Sequence, residues 1–345
     1  MIDYSNRFCR KPWTFVEVHG NGNVYNCCPS WVTKPIGNIL ENTWEKVWNG
    51  KIAQEYRQSM LDSSFKNCIA KECSHLLREN LRPAEPVFEK DDLNILWRKF
   101  KTIDKTGPLV VNFCYDRSCN LSCPTCRTGL IMNSPKTYEW NNIEKIHKIV
   151  TDEIIKDAYR LYITGTGDPF ASPFFRDFLQ TFDKSKYPNI GAIHLHTNGN
   201  LWTKSIWESM ENVHPFVKSV EISIDASKKE TYDIVRRNGD WDMLMNNLDY
   251  INTLDTIEWI SLSFVVQNIN YKEIFDFEKL KDKLSNIPQV RTHYHKILDW
   301  GHMDDFEERA VWKPKHRNYK NFKKLWKEFV EKTDEDYMTH QIWEI

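Results

Sequence analysis

The chain has 345 residues, of which 41% are hydrophobic, enough for one large α/β domain or two smaller ones. Its formal net charge is −1, so bulk charge indicates neither a nucleic-acid nor a membrane partner. The first residues lack the apolar core of a signal peptide, and the longest apolar run, near 259–266, is too short to cross a bilayer. We therefore expect a cytoplasmic protein that has no membrane partner.

Nine cysteines fall into two groups along the chain. Five lie within the first 73 residues, and the other four lie between positions 114 and 126. Disulfides are rare in a reducing compartment, so this number of thiols favours metal or redox chemistry. The separation between the groups predicts two distinct metal sites.

Residues 1–80 are predicted to form a small cysteine-rich module of a β-hairpin and helices. Two short strands, 15–18 and 24–27, flank a turn that is rich in Gly and Asn, which is a hairpin signal. Helices are expected to begin near Trp44 and to cover residues 52–61.

The cysteines of this module come in two pairs that are distant in sequence. Cys9 and Cys27 flank the hairpin, and Cys68 and Cys73 follow the helices. Four such thiols can meet at one zinc ion or one iron–sulfur cluster. Cys28 is a fifth thiol, which we expect to be a spare, although it could replace Cys27.

Residues 81–107 are predicted to be a linker with a helix over 91–105. Strands and helices alternate over residues 108–300, which implies right-handed βαβ units and a parallel sheet. Six such units favour a partial (β/α)6 barrel of the TIM type, followed by a helical extension at 301–345. The strands are predicted at 109–114, 160–164, 192–196, 219–224, 259–266 and 290–297, and the helices near 140–157, 172–183, 202–211, 228–252 (possibly broken at Asn238-Gly239) and 271–285.

Three cysteines follow the first barrel strand with the spacing C-x3-C-x2-C. A loop this tight can direct the thiolates of Cys119, Cys123 and Cys126 at one metal centre. Structural metal sites use four protein ligands, whereas reactive sites leave one position open. A four-iron cluster on three cysteines would keep one iron free, while a zinc knot completed by Cys114 is the alternative.

Polar motifs also follow the other strands, at the edge where barrels of this kind carry their chemistry. A glycine-rich loop, Thr164 to Pro169, follows the second strand. His196 to Gly199 follow the third strand, and Ser223 and Asp225 end the fourth. Each motif alone is ordinary turn sequence, but their coincidence on one rim predicts a site.

The cysteine spacing and the glycine-rich loop together resemble the radical S-adenosylmethionine (SAM) superfamily. The resemblance implies a [4Fe-4S] cluster on Cys119, Cys123 and Cys126, with SAM chelating the open iron. Reductive cleavage of SAM would then give methionine and a 5′-deoxyadenosyl radical that abstracts a hydrogen atom from substrate. Two departures stand out: Asp168 replaces the usual glutamate, and Thr125 replaces a frequent aromatic residue.

The resemblance also assigns roles to the other rim residues. Backbone carbonyl groups of the glycine-rich loop would accept hydrogen bonds from the SAM ammonium group. Asp168 would help to hold either that group or the loop. Ser223 and Asp225 would meet the ribose or methionyl part, while Arg236 or Arg237 would pair with the carboxylate. The expected SAM-binding residues are Gly165, Thr166, Gly167, Asp168, Asn198, Ser223, Asp225 and Arg236.

The N-terminal module is similar to the twitch or SPASM auxiliary-cluster domains of the same superfamily. This resemblance implies a second [4Fe-4S] cluster on Cys9, Cys27, Cys68 and Cys73, with zinc as the alternative. Such modules usually follow the barrel, whereas here the module precedes it.

Two further features allow a functional or a structural interpretation. His293 and His295 share one strand face and could touch substrate or be hydrogen-bonded barrel residues. The basic and aromatic segment 312–327 could bind nucleic acid, but its apolar residues recur at helical spacing. We therefore expect a helix packed on the barrel with a solvated basic face.

The function expected from these resemblances is that of a radical SAM enzyme of the oxidoreductase type. Its leading substrate class is a peptide or protein, modified by cross-linking, epimerisation or oxidation. A dehydrogenase or epimerase acting on a sugar or another small metabolite is the alternative. A non-catalytic iron–sulfur electron carrier is disfavoured because a carrier needs no SAM pocket. An electron donor such as flavodoxin or ferredoxin is the expected partner.

Overall fold

The computed structural model describes residues 7–77, 101–163 and 166–333. Within these ranges, every helix is too short or too polar to cross a membrane. The chain divides into two compact units: Met1–Asp116 with Asn133–Thr166 and Lys184–Ala192, and Arg117–Met132 with Gly167–Asp183 and Ile193–Ile345. The predicted domain boundaries near 80, 107 and 300 were placed by sequence motifs, whereas these units are defined by compactness. The predicted boundaries therefore stay a prediction.

The first unit combines the N-terminal hairpin with the first two barrel strands. Its strands are β1 (Phe15–His19), β2 (Asn23–Tyr25), β3 (Gly37–Asn38), β4 (Val110–Cys114) and β5 (Arg160–Ile163). The helices described in it are α1 (Lys11–Thr14), α2 (Trp44–Trp48), α3 (Lys51–Leu61), α4 (Ser74–Leu77) and α5 (Trp140–Asp152). The pairs β1–β2 and β2–β3 are antiparallel, whereas β1–β4 and β4–β5 are parallel.

The predicted hairpin is present, and it joins the sheet of the barrel because its strand β1 pairs with β4. Val16, Val18 and Val24 are fully buried, as expected for strands that place alternate residues in the core. Gly20 lies so close to the backbone of Tyr115 that a Cβ atom there would come within 2.7 Å of the Tyr115 carbonyl oxygen. A residue with a side chain at position 20 would therefore push the hairpin away from the strand it joins.

The predicted helix over 91–105 is absent from the part of it that the structure describes, residues 101–105; the rest lies outside the described residues. Side chains of the N-terminal module hold this segment by its carbonyl groups. Trp13 Nε1 donates to Lys101 O at 2.6 Å, and Arg57 Nη1 donates to Thr102 O at 2.9 Å. These bonds tie residues 101 and 102, which are not helical, to the N-terminal module.

The second unit contains four parallel strands. The first of them, β6, is assigned to this unit because only its first residue, Ala192, belongs to the other. The strands are β6 (Ala192–Thr197), β7 (Val217–Ser223), β8 (Trp259–Val266) and β9 (Gln289–Lys296). The helices described in it are α6 (Pro173–Gln180), α7 (Lys204–Glu208), α8 (Lys229–Val235), α9 (Trp241–Ile251), α10 (Ile274–Glu278), α11 (Phe306–Arg309) and α12 (Tyr319–Thr333).

Most predicted helices of the barrel form, but they are shorter than expected. The predicted helix 228–252 breaks into α8 and α9 around Asn238, whose φ of +71° places it in the left-handed region. The predicted helix 271–285 is a short α-helix between two 3₁₀ turns. The fold class is the predicted one, an α/β fold with the strands and helices of a partial (β/α)6 barrel.

The basic and aromatic segment forms a packed helix, as its spacing predicts. Phe322, Trp326 and Phe329 of α12 are buried. The ring of Trp326 lies 5.7 Å from that of Tyr294, which belongs to β9. Because the apolar face is used in packing, the basic residues of α12 point outwards, as expected for a solvated helix face.

Candidate active site

The three clustered cysteines lie in one short loop of the second unit. Cys119 and Cys123 are buried, whereas Cys126 is exposed. Cys119 N donates to the carbonyl oxygen of Ile131 at 2.9 Å, and Cys126 N donates to that of Cys123 at 2.9 Å. These backbone bonds fix the loop as a tight turn without using the thiols, which stay available as ligands.

The surroundings of Cys119 and Cys123 favour the protonated thiols until a metal binds. Burial, followed by the negative charge of Asp168, raises the pKa of Cys119 to about 12. Burial also raises the pKa of Cys123, although the guanidinium of Arg236 opposes the change. Metal ligation requires thiolates, so loading of this loop would release protons.

The arginine opposite the loop is tied to both a carboxylate and a thiol. Arg236 Nη2 lies 2.9 Å from Asp225 Oδ2, and Arg236 Nη1 lies 3.7 Å from Cys123 Sγ. Burial alone would lower the pKa of Arg236, but Asp225 and Cys123 outweigh it and raise the pKa above its ordinary value. The guanidinium is therefore charged, and it is held beside the cysteine loop.

One nitrogen of this guanidinium lacks a hydrogen-bond partner among the described residues. Arg236 Nε is buried and makes no hydrogen bond within the part of the chain that the structure describes. A buried donor left unsatisfied costs about 1–3 kcal/mol. A carboxylate bound next to the cysteine loop would satisfy it, and the methionyl carboxylate of SAM is such a group. The three thiols of the loop and the guanidinium beside them therefore fit a cluster with SAM bound next to it.

Asn198 also reaches the cysteine loop, while its predicted contact with SAM or substrate stays a prediction. Its Nδ2 atom lies 2.9 Å from Asn120 Oδ1 and 3.7 Å from Cys119 Sγ. Asn120 was not predicted as a site residue, although its place inside the cysteine motif was a usable signal. Ser223, another residue predicted to meet SAM, is hydrogen-bonded to a histidine instead of the loop: its Oγ lies 2.8 Å from His196 Nε2.

The carboxylate of Asp168 is buried and is hydrogen-bonded to the segment at the end of β6. It accepts from Thr197 Oγ1 at 2.7 Å, Asn198 N at 2.9 Å and Phe170 N at 3.0 Å. Burial raises the pKa of Asp168, while these donors partly offset the rise. Of the two roles expected for Asp168, its contacts match the one that holds the loop.

The glycine-rich loop is described only in part. Gly165 lies outside the described residues. Thr166 Oγ1 donates to Cys114 O at 2.9 Å, which ties the start of the loop to the end of β4. Gly167 is half-buried. The contacts of these residues with SAM stay a prediction.

The N-terminal cysteines interact with one another in the first unit. Cys9, Cys68 and Cys73 share an apolar cluster. Burial raises the pKa of Cys27 to about 12, and the thiols of Cys9 and Cys73 contribute to the rise. The thiol of Cys28 instead lies 3.1 Å from the hydroxyl of Ser30.

The spacing of the donor atoms bears on the zinc alternative. A tetrahedral zinc ion with Zn–S bonds of about 2.3 Å would hold its sulfur atoms about 3.8 Å apart. Among the described residues, two groups bring three donor atoms within 4.8 Å of one another, and neither contains a cysteine of the two expected cluster sets. The groups are Glu17, His19 and Cys114 in the first unit, and Glu221, His293 and His295 in the second. Neither cysteine set therefore brings three thiols within 4.8 Å of one another among the described residues.

The two histidines of β9 meet a carboxylate that sequence reasoning missed. The rings of His293 and His295 lie 4.0 Å apart between centroids. Glu221 on β7 lies 3.7 Å from His295 and 3.8 Å from His196, measured between Oε1 and Nε2 atoms. An acidic residue between buried apolar neighbours in a strand was the available signal for Glu221.

Comparison with family models matches both parts of the chain. Residues 116–280 match the radical SAM superfamily, and residues 9–74 match an iron–sulfur cluster-binding domain, SPASM. The radical SAM domain implies a [4Fe-4S] cluster and SAM, and the SPASM domain implies a further iron–sulfur cluster.

Two curated relatives show weaker similarity. The chain is 26% identical over 189 residues to a probable dual-specificity RNA methyltransferase RlmN of Oceanobacillus iheyensis, covering 51% of this chain and 50% of that protein. It is 24% identical over 218 residues to molybdenum cofactor biosynthesis protein 1 of Dictyostelium discoideum, covering 60% and 32%. The chain thus spans half or less of the length of these relatives.

Two solved structures show a limited similarity to this chain. TYW1 with a lysine-pyruvate adduct bound matches with a TM-score of 0.39 and 16% identity, over 66% of this chain and 72% of that chain. Native anSMEcpe with bound AdoMet and Cp18Cys peptide matches with a TM-score of 0.44 and 20% identity, over 65% and 59%. On the two family matches, the chain belongs to the radical SAM superfamily and carries an N-terminal iron–sulfur domain of the SPASM or twitch type.

Proposed function

We propose that this protein cleaves SAM reductively and uses the resulting radical to abstract a hydrogen atom from a peptide or protein substrate. The observation that carries the SAM part is the buried Nε of Arg236, which has no hydrogen-bond partner among the described residues and belongs to the guanidinium whose Nη1 lies 3.7 Å from Cys123 Sγ. A charged donor in this position suits an amino-acid carboxylate held against the cluster.

Each residue of the site has a stated part in this proposal. Cys119, Cys123 and Cys126 hold the cluster, and Arg236 receives the carboxylate of SAM. Asn198 reaches the loop, and Asp168 fixes the rim that carries it. When bound, the cluster and SAM supply the electron and the 5′-deoxyadenosyl radical, while the protein supplies orientation and shielding.

The surface around the cysteine loop supports a peptide or protein substrate. Leu130 and Met132 follow the loop and are 55% and 45% exposed, and Leu298 and Trp300 are 51% and 64% exposed. The two segments both contact the loop, since Cys119 N donates to Ile131 O and His302 Nε2 lies 3.3 Å from Pro124 O. Exposed apolar side chains on segments that flank a site favour a surface that binds proteins. A sugar would call for polar groups instead.

The N-terminal cluster has a supporting part in the proposal. Cys9, Cys27, Cys68 and Cys73 would ligate a second [4Fe-4S] cluster, which accepts an electron from the substrate radical or binds substrate. The first cluster needs an external one-electron donor, and a flavodoxin or ferredoxin has the required chemistry.

The test measures 5′-deoxyadenosine from anaerobically reconstituted protein with SAM and dithionite. Peptide and small-metabolite fractions of the source cells are added in separate reactions. We expect the peptide fraction to stimulate product formation, Trp300→Glu to lose this stimulation, and Met243→Glu, an exposed apolar position on α9, to keep it. Stimulation by the metabolite fraction alone would indicate that the substrate is a small molecule and not a peptide. Absence of product from protein with intact clusters would refute SAM cleavage.

A further inference from the structure

The second unit contains a group of nitrogen and oxygen donors that the iron–sulfur chemistry does not use. One ligand atom each from Glu221, His293 and His295 lies within 4.8 Å of the other two. All three side chains are half-buried, so they are reachable by solvent without being on the open surface. Nitrogen and carboxylate donors select a different class of metal from the thiolates of the clusters.

The strand register explains why these three side chains meet. Glu221 on β7 is paired with Ser261 on β8, and Ser263 on β8 is paired with His293 on β9. Alternate residues of a strand share a face, so Glu221, the two serines and both histidines line the same face of the sheet. The small serines of β8 leave room above that strand. Long side chains from β7 and β9 can therefore touch over it.

The distances leave a gap of the size that a metal ion needs. Glu221 Oε1 lies 3.7 Å from His295 Nε2, which is too long for a hydrogen bond. A tetrahedral zinc ion with bonds of about 2.0–2.1 Å holds neighbouring donors about 3.3–3.4 Å apart. A shift of a few tenths of an ångström would bring these two donors to that spacing, and the His293 donor lies within 4.8 Å of both.

We propose that Glu221, His293 and His295 bind a divalent transition-metal cation of the zinc type. Two imidazoles and one carboxylate leave at least one coordination position open, as in sites that bind water or substrate rather than structural ions. His196 lies next to this position, because its Nε2 atom is 3.8 Å from Glu221 Oε1 and 2.8 Å from Ser223 Oγ. The open position would accept a water molecule or an oxygen atom of a substrate.

The test measures bound zinc, a readout that does not depend on SAM cleavage. Reconstituted protein is dialysed anaerobically against micromolar Zn²⁺, and zinc per chain is measured by mass spectrometry. Wild type should hold about one zinc more than Glu221→Gln and His295→Gln. The loss of a ligand should weaken the affinity by more than the 10–100-fold typical of groups that merely support a ligand. His194→Gln is the matched control, since His194 on β6 pairs with Ser219 at 2.8 Å and should leave zinc binding intact.

A second measurement keeps the proposal testable if the variants fold poorly. Zinc-edge X-ray absorption on the wild type should show nitrogen and oxygen neighbours at about 2.0–2.1 Å with imidazole scattering. Sulfur neighbours at about 2.3 Å would place the zinc on the cysteines and overturn the proposal. Equal zinc content in wild type, Glu221→Gln and His295→Gln, or no bound zinc at all, would overturn it as well.

Discussion

The guanidinium of Arg236 is joined to the carboxylate of Asp225 by a 2.9 Å ion pair, and the two side chains are 12% and 1% exposed. Asp225 has a φ of +62°, a left-handed conformation that Asp and Asn adopt more readily than most residues. Its other carboxylate oxygen accepts from Val265 N at 2.7 Å. Asp225 is therefore fixed by the backbone of β8, and it fixes the arginine beside Cys123.

Replacement of Arg236 by lysine should weaken SAM binding. Lysine keeps the charge but loses the planar fork that serves Asp225 and a second carboxylate together. One charge-assisted hydrogen bond contributes about 1.5–3 kcal/mol, so the dissociation constant should rise about 10- to 100-fold. Equilibrium dialysis of radiolabelled SAM against the reconstituted protein measures the change.

Arg237→Lys is the control for this substitution. Arg237 is exposed, and its Nε donates to Ser122 Oγ at 3.0 Å. We expect its affinity for SAM to stay within about twofold of wild type, which is about 0.4 kcal/mol. If Arg237→Lys lost affinity and Arg236→Lys did not, the carboxylate partner would be Arg237.

Asp225→Asn should destabilise the second unit. The amide keeps a residue that tolerates the left-handed backbone, but it leaves the charge of Arg236 buried without its carboxylate. Removal of one partner of a buried ion pair costs about 3–5 kcal/mol. Urea unfolding followed by circular dichroism should show a lower midpoint. Asp242→Asn, which removes an exposed partner of Lys229, should leave the midpoint unchanged; equal effects of the two variants would contradict the role given to the buried pair.

Much of this architecture could be predicted because its signals are local. The C-x3-C-x2-C spacing, the glycine and asparagine turn at residues 19–23 and the helical spacing of Phe322 and Trp326 each report on neighbouring residues. The structure confirms the hairpin, the alternating strands and helices, and the packed C-terminal helix. The break near Asn238 was also readable, since Asn-Gly favours a left-handed residue.

The contacts that the sequence did not reveal depend on distant residues. The carbonyl groups of 101–106 accept hydrogen bonds from side chains that come some 45 to 90 positions earlier, and the local sequence does not reveal such pairings. Glu221 and His295 are 74 positions apart and meet only through strand register. Asp168 illustrates the same limit, because its two possible roles could be separated only by its contacts.

Cys27 and Cys28 should differ in their effect on iron content. The thiol of Cys27 interacts with those of Cys9 and Cys73, whereas the thiol of Cys28 lies against Ser30. Cys27→Ala should lower the iron content of the reconstituted protein from about eight to about four per chain, because one four-iron cluster loses a ligand. Cys28→Ala should keep about eight. Iron analysis together with electron paramagnetic resonance of the reduced protein would show this, and the reverse pattern would make Cys28 the ligand.

Formation of 5′-deoxyadenosine by the wild type and by Cys123→Ala tests the central claim most directly. Both proteins are reconstituted anaerobically, reduced with dithionite and given SAM, with Cys28→Ala as a matched cysteine control. The account predicts product from the wild type and from Cys28→Ala, and none from Cys123→Ala, because the loop then lacks a cluster ligand beside Arg236. Product from Cys123→Ala at the wild-type rate, or no product from wild type with both clusters loaded, would contradict the account.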